Sequence, residues 1–346
     1  MSWKVLLTAL VRGEHLTSEQ ATWAMRQTVT GDAGPAQIAG LAVGLRAKGE
    51  TAAEVSGFAQ AMLEHMQPMP RIRDAVDVVG TGGDGADTVN ISTMAAIVTA
   101  GAGVPVVKHG NRAASSTCGA ADVLEAVGIA IEAPAEQIVA DVAEIGIGFC
   151  FARRFHPGLR HAAAARQQLG IPTIFNFLGP LSNPAQPQAA AVGCADARMA
   201  PILADALAAR GICALVLRGD DGLDEFTTTA PTAVWAVGDG AVSAMRIDAV
   251  DLGLARARPI DLAGGDAAAN AATLRAVLNG DSGPVRDATL LNAAAAIAAY
   301  RGFGPGTPTV DTVKQAIATA LRDATTAIDT GAAAAVLNHW VEVHRG

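Results

Sequence analysis

The stretch VDVVGTGGDGADTVNIST, residues 76–93, decides the fold class of this chain. A valine-rich run typical of a buried strand leads directly into glycines, and a candidate helix start follows. Gly80, Gly82 and Gly85 satisfy the pattern G-x-G-x-x-G, which is compatible with a dinucleotide-binding turn or with a glycine loop for another phosphate. Since the chain contains 37 glycines, this pattern alone does not choose between the two.

The residues after the glycines argue against two nucleotide-binding classes. A dinucleotide fold needs an acidic residue about 20 positions further on, but residues 100–106 read AGAGVPV, and no G-x-x-x-x-G-K-[ST] motif is present. Asn90, Ser92 and Thr93 instead fall where a helix should begin, and free N–H groups at a helix start attract anions. An ordinary capped turn explains the stretch equally well, so both interpretations stay open.

An alternation of strand-type and helix-type segments follows from residue 75 onward. VDVV, VPVV, GIGFCFA and CALVLRG have the composition of buried strands, and alanine-rich windows at 93–102, 120–128, 134–144 and 197–210 are typical of helices. This order predicts an α/β domain over residues 75–346, with a mainly parallel central sheet flanked by helices. Residues 266–300 and 309–329 are expected to be helical again.

The first 70 residues predict a small domain made of helices only. Thr17 with Gln20, and Thr51 with Glu54, have capping-box spacing, and Pro35 stands where a first-turn proline belongs. The sequence MQPMPR then ends the helical pattern. We expect the segment near 170–190, which contains four prolines within IPTIFNFLGPLSNPAQP, to form ordered loops and to join this domain.

Two further polar clusters follow predicted strands. Lys108, His109 and Arg112 lie in KHGNRAASSTCG at the end of one strand, where ligands sit in open α/β sheets. The composition favours anion binding over a solvated loop. Asp224 and Glu225 belong to the acidic run GDDGLDEF after another strand; such a run is usually a solvated turn, but beside phosphate-binding loops it also suits Mg²⁺.

The overall composition limits the partners of the protein. The formal net charge of −8 argues against nucleic acid or an anionic membrane as the main partner. Four cysteines without C-x-x-C spacing fit a reducing compartment. The N-terminal sequence lacks the features of a signal peptide, and the apolar runs are too short to cross a bilayer. We therefore expect a soluble cytoplasmic protein.

Taken together, the motifs resemble the anthranilate phosphoribosyltransferase family of tryptophan biosynthesis. The resemblance is carried, in chain order, by GTGGDGADTVNIST, KHGNRAASS, FHPGLRHAAAARQQLG, FNFLGPLSNPA, GDDGLDEFT, GGDAAANA and LNAAAAI, and so covers nearly the whole sequence. It implies the substrates 5-phosphoribosyl 1-pyrophosphate (PRPP) and anthranilate, two Mg²⁺ ions per monomer, and a homodimer formed through the helical domain. It also implies that the glycine loop cradles pyrophosphate and ribose rather than a dinucleotide.

The resemblance assigns roles to individual positions. It implies a PRPP site of Gly80, Gly83, Asp84, Thr88, Asn90, Ile91, Ser92, Thr93, Lys108, His109, Gly110, Asn111, Arg112, Ala113, Ala114, Ser115, Ser116 and Ala120. Anthranilate would be held by Gly80, Asn111 and Arg166, and metal by Ser92, Asp224 and Glu225. No residue is assigned as an acid, base or nucleophile; His109 is either an anthranilate contact or a residue that orders its loop.

Two departures from the family pattern stand in this sequence. Ala120 replaces a small polar residue, which removes one expected phosphate contact, and Arg153 stands where the family has proline. Two other functional classes remain as alternatives: a pyrimidine nucleoside phosphorylase, which shares the fold, and a non-catalytic relative that binds nucleic acid.

Overall fold

The beginning of the chain is helical in the computed structural model, which describes residues 1–113 and 116–345. Four helices, α1 (Trp3–Val11), α2 (Ser18–Thr30), α3 (Pro35–Lys48) and α4 (Ala52–Glu64), precede the first strand. The two expected capping boxes are formed: the hydroxyl of Thr17 accepts the Gln20 N–H, and that of Thr51 accepts the Glu54 N–H. Pro35 is the first residue of α3, as its sequence position predicted.

A seven-stranded sheet forms the centre of the described part of the chain. Its strands are β1 (Val76–Gly80), β2 (Val106–Gly110), β3 (Ile147–Phe151), β4 (Ala189–Gly193), β5 (Cys213–Gly219), β6 (Thr232–Gly238) and β7 (Ala241–Ile247). The spatial order is β3-β2-β1-β4-β5-β6-β7. Strands β1 to β5 run parallel, whereas β6 and β7 add as antiparallel strands. The prediction of a small helical domain and a larger, mainly parallel α/β domain is confirmed.

Eleven further helices accompany the sheet within the described residues. They are α5 (Ile91–Gly101), α6 (Ala120–Val127), α7 (Ala135–Ile145), α8 (Ala152–Phe155), α9 (Arg160–Leu169), α10 (Ile174–Phe177), α11 (Met199–Ala209), α12 (Ala267–Leu278), α13 (Pro284–Arg301), α14 (Val310–Asp329) and α15 (Ala332–Arg345). Among these described helices, none combines the length and apolar character needed to cross a membrane.

Alanine sets how closely the large helices pack. From Ala288 to Ala299 every residue of α13 is buried, and most of these residues are alanine. Gly101, at the end of α5, packs directly against α15, because a Cβ at this position would lie 2.7 Å from the Cα of Ala333. Small side chains therefore let the helices covering the sheet approach one another at near backbone contact.

The four N-terminal helices share one apolar core with the other face of the sheet. Leu6, Leu41 and Phe58 are buried in the same cluster as Phe175 and Leu203, which lie in α10 and α11. The proline-rich segment that carries α10 thus packs against the N-terminal helices. Buried apolar surface, rather than a linker alone, fixes the two parts relative to each other.

The strand order places a ligand crevice beside β1. The chain builds β1, β2 and β3 toward one edge and then returns to place β4 and β5 on the opposite side of β1. In open parallel sheets, ligands bind outside the carboxyl ends of the strands at such a switch point. The glycine loop leaves β1 at this position.

Candidate active site

A cavity of about 320 Å³ opens at the carboxyl ends of β1 and β2. Most residues singled out from the sequence line it: Gly80, Gly83, Asp84, Thr88, Asn90, Ile91, Ser92, Lys108, His109, Gly110, Asn111, Arg112, Ala113, Ser116, Ala120, Arg166, Asp224 and Glu225. Residues as far apart in sequence as Gly80 and Glu225 meet here because parallel strands end at the same edge of the sheet. The fold thus joins the glycine loop, the acidic run and the segment KHGNRAASSTCG that ends β2 and follows it, called the basic loop below, in one site.

Three positions from the same prediction are not placed in the cavity wall. The side chain of Thr93 is buried, and its hydroxyl has no hydrogen-bond partner among the described residues. It does not line the cavity, because it lies in the first turn of α5 with its side chain buried. Ala114 and Ser115 lie outside the described residues.

Several cavity residues lie outside the set that was assigned to substrates or metal from the sequence. They are Met62 from α4, Thr81, Gly82, Gly85, Asp87 and Val89 from the glycine loop, Cys118 and Gly119, and then Ala152, His156, Leu159, Phe175, Asn176, Leu178, Gly179 and Ser182. The last eight belong to FARRFHPGL and FNFLGPLS, segments to which the sequence analysis assigned no substrate contact. Their proximity to the glycine loop is a property of the tertiary structure.

Glycine is required in this loop for two different physical reasons. Gly82, Gly83 and Gly85 have φ values of +66°, +85° and +69°, which only glycine adopts without strain. Gly80 is instead required for space, because a Cβ at this position would lie 2.4 Å from Oδ2 of Asp224. The Gly82 N–H donates to the same oxygen at 2.6 Å. The loop is therefore built around the Asp224 carboxylate.

The glycine loop is fixed at the end nearest α5 by the side-chain amides of Asn90 and Asn270 and by Asp87. Asn270 donates to Oδ1 of Asn90 at 2.9 Å, and Asn90 donates to the Cys118 carbonyl at 3.0 Å. Asp87 has a φ of +47°, unusual outside glycine, and its carboxylate accepts the Thr117 N–H at 2.8 Å. These contacts join the glycine loop, the basic loop and α12.

The amino end of α5 supplies an anion-binding device. Asn90 occupies the N-cap position, but its side chain does not cap the helix because Asn270 and Cys118 already hold it. The N–H of Ile91 donates instead to the Val89 carbonyl at 2.7 Å, and that of Thr93 to the Asn90 carbonyl at 3.1 Å. The helix dipole, rather than a set of free N–H groups, therefore favours a bound phosphate at this end of α5.

Lys108 is a buried cation at the centre of the site. Its ammonium group donates to the Val78 carbonyl and, at 3.2 Å, to the hydroxyl of Ser92. Burial lowers the pKa of Lys108, while the carboxylates of Asp77, Glu225 and Asp224 act in the opposite direction. The ammonium group therefore links β1, α5 and the acidic run.

Two carboxylates face this lysine and repel each other. Burial, followed by the charge of Asp84, raises the pKa of Asp224 to about 7. Burial and the neighbouring Asp224 raise the pKa of Glu225 well above its usual range. Carboxyl groups crowded in this way gain stability from a cation placed between them, and their hard oxygens match Mg²⁺.

The protein supplies only part of a metal coordination sphere. Among the described residues, no three His, Cys, Asp or Glu side chains converge as a metal site. Mg²⁺ commonly takes one or two carboxylates from a protein and completes its shell with water and substrate phosphates. The donor set of Asp224, Glu225 and the hydroxyl of Ser92 fits that mode of binding.

Two neutral histidines form the opposite wall. Nδ1 of His109 lies 3.0 Å from the Gly179 carbonyl, and Nε2 of His156 lies 2.7 Å from the Ser182 carbonyl. Since a carbonyl only accepts, each of these nitrogens carries a proton. Burial lowers the pKa of His109 to about 3 and that of His156 to about 4. Nε2 of His109 is thus an unprotonated acceptor, and no described residue donates to it.

The two arginines predicted for the site, Arg112 and Arg166, differ in their ion-pair partners. Arg112 lines the cavity but pairs with Asp122 and Glu125, both at 2.8 Å. Arg166 lies in the last turn of α9 with its guanidinium 5.9 Å from the ring centre of Phe175. It forms no ion pair within the described residues, and burial lowers its pKa. Arg166 is the cation better placed to meet a carboxylate of a ligand.

This combination of fold and site defines the class of the protein. Residues 72–334 match the family described as "Glycosyl transferase family, a/b domain", and residues 4–66 match "Glycosyl transferase family, helical bundle domain". The chain is 58% identical to anthranilate phosphoribosyltransferase of Salinispora arenicola, over 99% of this chain and 96% of that protein. The corresponding enzyme of Saccharopolyspora erythraea is 54% identical, over 99% and 95% of the two chains.

Solved structures agree with the sequence comparison. The crystal structure of anthranilate phosphoribosyltransferase from Thermus thermophilus superposes with a TM-score of 0.89, at 39% identity and 99% coverage of both chains. The enzyme from Saccharomyces cerevisiae in complex with PRPP and Mg gives a TM-score of 0.86 at 26% identity, covering 99% and 98%. The chain belongs to the anthranilate phosphoribosyltransferase family, and the predicted family and glycosyltransferase class are confirmed.

Proposed function

We propose that this protein transfers the phosphoribosyl group of PRPP to the amine of anthranilate, giving N-(5-phosphoribosyl)anthranilate and pyrophosphate. One observation carries the proposal: a single cavity contains a glycine loop with a helix amino end, a pair of mutually repelling carboxylates, and Arg166, which forms no ion pair among the described residues. Family membership supports it, because the yeast relative is described with PRPP and Mg and also with 4-fluoroanthranilate.

The PRPP half of the site is proposed on the glycine-loop side. Gly82 and Gly83 leave the backbone open to close approach by a ligand, although the Gly82 N–H itself donates to Asp224, and the start of α5 adds the helix dipole. Lys108 and Ser92 lie between this loop and the acidic pair. Of the wider set that the resemblance implied, we retain every member that lines the cavity except His109, whose ring lies in the opposite wall, and leave Thr93, Ala114 and Ser115 as predictions without structural support.

Mg²⁺ is proposed as the cofactor, with Asp224, Glu225 and Ser92 as its protein ligands and two ions per monomer. When bound, it would supply positive charge that neutralises the pyrophosphate group as it departs. The two ions follow from the resemblance. The fit of the residues rests on the oxygen donors and on the mutual repulsion of the carboxylates.

Anthranilate is proposed to lie between Arg166 and the histidine wall. The guanidinium of Arg166 suits bidentate binding of a carboxylate, and Phe175 offers an aromatic surface beside it. Asn111 and Gly80 line the same cavity and complete the set that the resemblance implied.

The reaction requires little covalent assistance from the protein. The nitrogen of anthranilate attacks the anomeric carbon of the ribose, a C–N bond forms, and the C–O bond to pyrophosphate breaks with its electron pair leaving on oxygen. The attacking nitrogen then releases a proton. An aromatic amine is only weakly basic, so a strong general base is not needed, and the site acts by positioning its substrates and stabilising charge.

The remaining parts of the proposal concern the domains, the oligomeric state and the cellular location of the protein. We propose that residues 1–70, joined by the segment near 170–190, form one domain and residues 75–346 the other. We further propose a homodimer through the helical domain, where Val5, Val11 and Val43 are 59%, 87% and 41% exposed. The protein would act in the cytoplasm, in the second step of the tryptophan branch, without nucleic acid or membrane partners.

The proposed activity is tested by following anthranilate fluorescence. The signal should decay only when PRPP and Mg²⁺ are both present. Asp224→Asn combined with Glu225→Gln should remove most activity at any Mg²⁺ concentration while the protein stays folded. Asp220→Asn is the matched control, because Asp220 belongs to the same acidic run but pairs with Arg246 outside the cavity.

Two results would contradict the proposal. Near-normal turnover of the double variant at limiting Mg²⁺ would remove the metal role of the carboxylates. Phosphate-dependent cleavage of a pyrimidine nucleoside, with no loss of anthranilate, would support the phosphorylase alternative instead.

A further inference from the structure

The register of β1 and β2 contains a single residue pair, and side-chain hydrogen bonds tie the two strands together nearer the cavity. The register pairs Val76 with Val106, whereas β1 and β4 remain paired along all five residues. Beyond that point the His109 N–H donates to Oδ1 of Asp77 at 3.0 Å rather than to a backbone carbonyl. Lys108 crosses in the opposite direction to the Val78 carbonyl. Side-chain hydrogen bonds therefore hold these two strands together at their cavity ends.

The second oxygen of Asp77 holds a different segment of the chain. Oδ2 accepts from Nδ2 of Asn183 at 2.9 Å, and the same amide nitrogen donates to the Val107 carbonyl at 2.8 Å. Asn183 directly follows the segment whose Gly179 carbonyl accepts from the ring of His109. One carboxylate thus fixes both the backbone of His109 and the segment that orients its imidazole.

The chemistry of this position favours a carboxylate over an amide. Both neighbours of Asp77 are N–H donors, so both oxygens must accept. An asparagine would turn an NH₂ group toward one of the donors in either orientation. Asp77 is buried, and burial raises its pKa to about 6. Asp77 forms no ion pair within 4 Å among the described residues and is stabilised only by hydrogen bonds and the more distant charge of Lys108, so a carboxylate here is costly for stability alone.

We propose that Asp77 is a positioning residue for the amine-binding half of the site, acting through the backbone and imidazole of His109. The inference rests on the proposed transferase function. Asp77 does not line the cavity, so it acts through His109 and the 179–183 segment rather than by contact with substrate. Its loss should misplace the wall opposite the glycine loop and leave the PRPP side in place.

The test is Asp77→Asn in the full-length protein, with Michaelis constants measured for both substrates. The KM for anthranilate should rise by about 10-fold or more, which corresponds to about 1.4 kcal/mol of lost binding free energy. The KM for PRPP should stay close to the wild-type value. Asp141→Asn is the matched control: Asp141 is equally buried and accepts from His344 at 2.9 Å, but it lies in α7, away from the cavity. It should lower the melting temperature and leave both constants unchanged.

A second variant keeps the test decisive if Asp77→Asn does not fold. Asn183→Ala removes the link to the 179–183 segment but preserves the bond from His109 to Asp77, so it should shift the same constant in the same direction by a smaller factor. Equal changes in both constants, or unchanged constants in a folded variant, would overturn the positioning role. An inactive wild-type protein would instead refute the proposed function itself.

Discussion

The contact between Gly80 and Asp224 gives the sharpest test of the site. Gly80 ends β1, and its φ is not in the left-handed region, so alanine is acceptable to the backbone. The added Cβ would lie 2.4 Å from Oδ2 of Asp224. Gly80→Ala should therefore displace one buried carboxylate without unfolding the strand.

The size of the effect follows from that distance. Ordinary van der Waals contact begins at 3.4 Å, so the carboxylate oxygen must retreat by about 1 Å. This movement stretches the 2.6 Å hydrogen bond from the Gly82 N–H. A hydrogen bond to a charged group contributes about 1.5–3 kcal/mol, which corresponds to about 10- to 150-fold in an equilibrium constant. The apparent activation constant for Mg²⁺ should rise by that factor.

The assay is the initial rate of anthranilate loss over a Mg²⁺ titration at saturating PRPP, combined with a melting curve of the free protein. Gly148→Ala in β3 is the control, because its Cβ would lie 2.8 Å from Cγ2 of Ile138, outside the cavity. That control should lower the melting temperature and leave the Mg²⁺ dependence unchanged. A Gly80→Ala protein with wild-type Mg²⁺ dependence would refute the proposed role of Asp224.

Two further predictions concern the opposite wall. Arg166→Ala should raise the KM for anthranilate by about 10- to 150-fold. Arg160→Ala, which changes an exposed residue of the same helix, should leave this KM unchanged. Equal effects of Arg166→Ala on the KM values of both substrates would mean that Arg166 supports the structure rather than binding anthranilate. His156 has a pKa lowered to about 4 by burial, against about 6.5 when unfolded, so its stabilising contribution is complete above pH 6.5 and is lost as the pH falls toward 4. Between pH 7 and pH 5, the free energy of unfolding of the wild-type protein should therefore fall by about 2 kcal/mol more than that of His156→Gln. Equal decreases, measured by urea titration at the two pH values, would contradict the buried neutral state.

The sequence determined those elements whose signal is local. β1, β2, β3 and β5 were predicted because β-branched and aromatic residues in short runs suit a strand that is buried on both faces. The caps at Thr17 and Thr51 and the start of α3 at Pro35 were predicted because they depend on residues three or four positions apart. The residue types needed for the chemistry, namely glycines, cations and carboxylates, were also predicted from the sequence.

Other elements needed tertiary context. β4 reads AAAVG, and alanine has little intrinsic preference for strands, so this segment is a strand because β1 and β5 bury and pair with it on both sides. The break between α12 and α13 was also missed: Gly280 and Gly283, with φ values of +104° and +134°, interrupt a region expected to be one helical stretch. β6 and β7 were not predicted either.

For the site as well, residue identities were predicted from the sequence, whereas their contacts depend on the tertiary structure. The sequence alone identified Asp224 as a candidate metal ligand and Gly80 as part of a loop, but only the meeting of β1 with the chain after β5 places them in contact. The proton position on His109 and the pairing of Arg112 with Glu125 depend equally on distant or packed neighbours. Local preferences act over a few residues along the chain, whereas contact, burial and charge balance depend on which strands become neighbours, and that is decided only when the whole sheet forms.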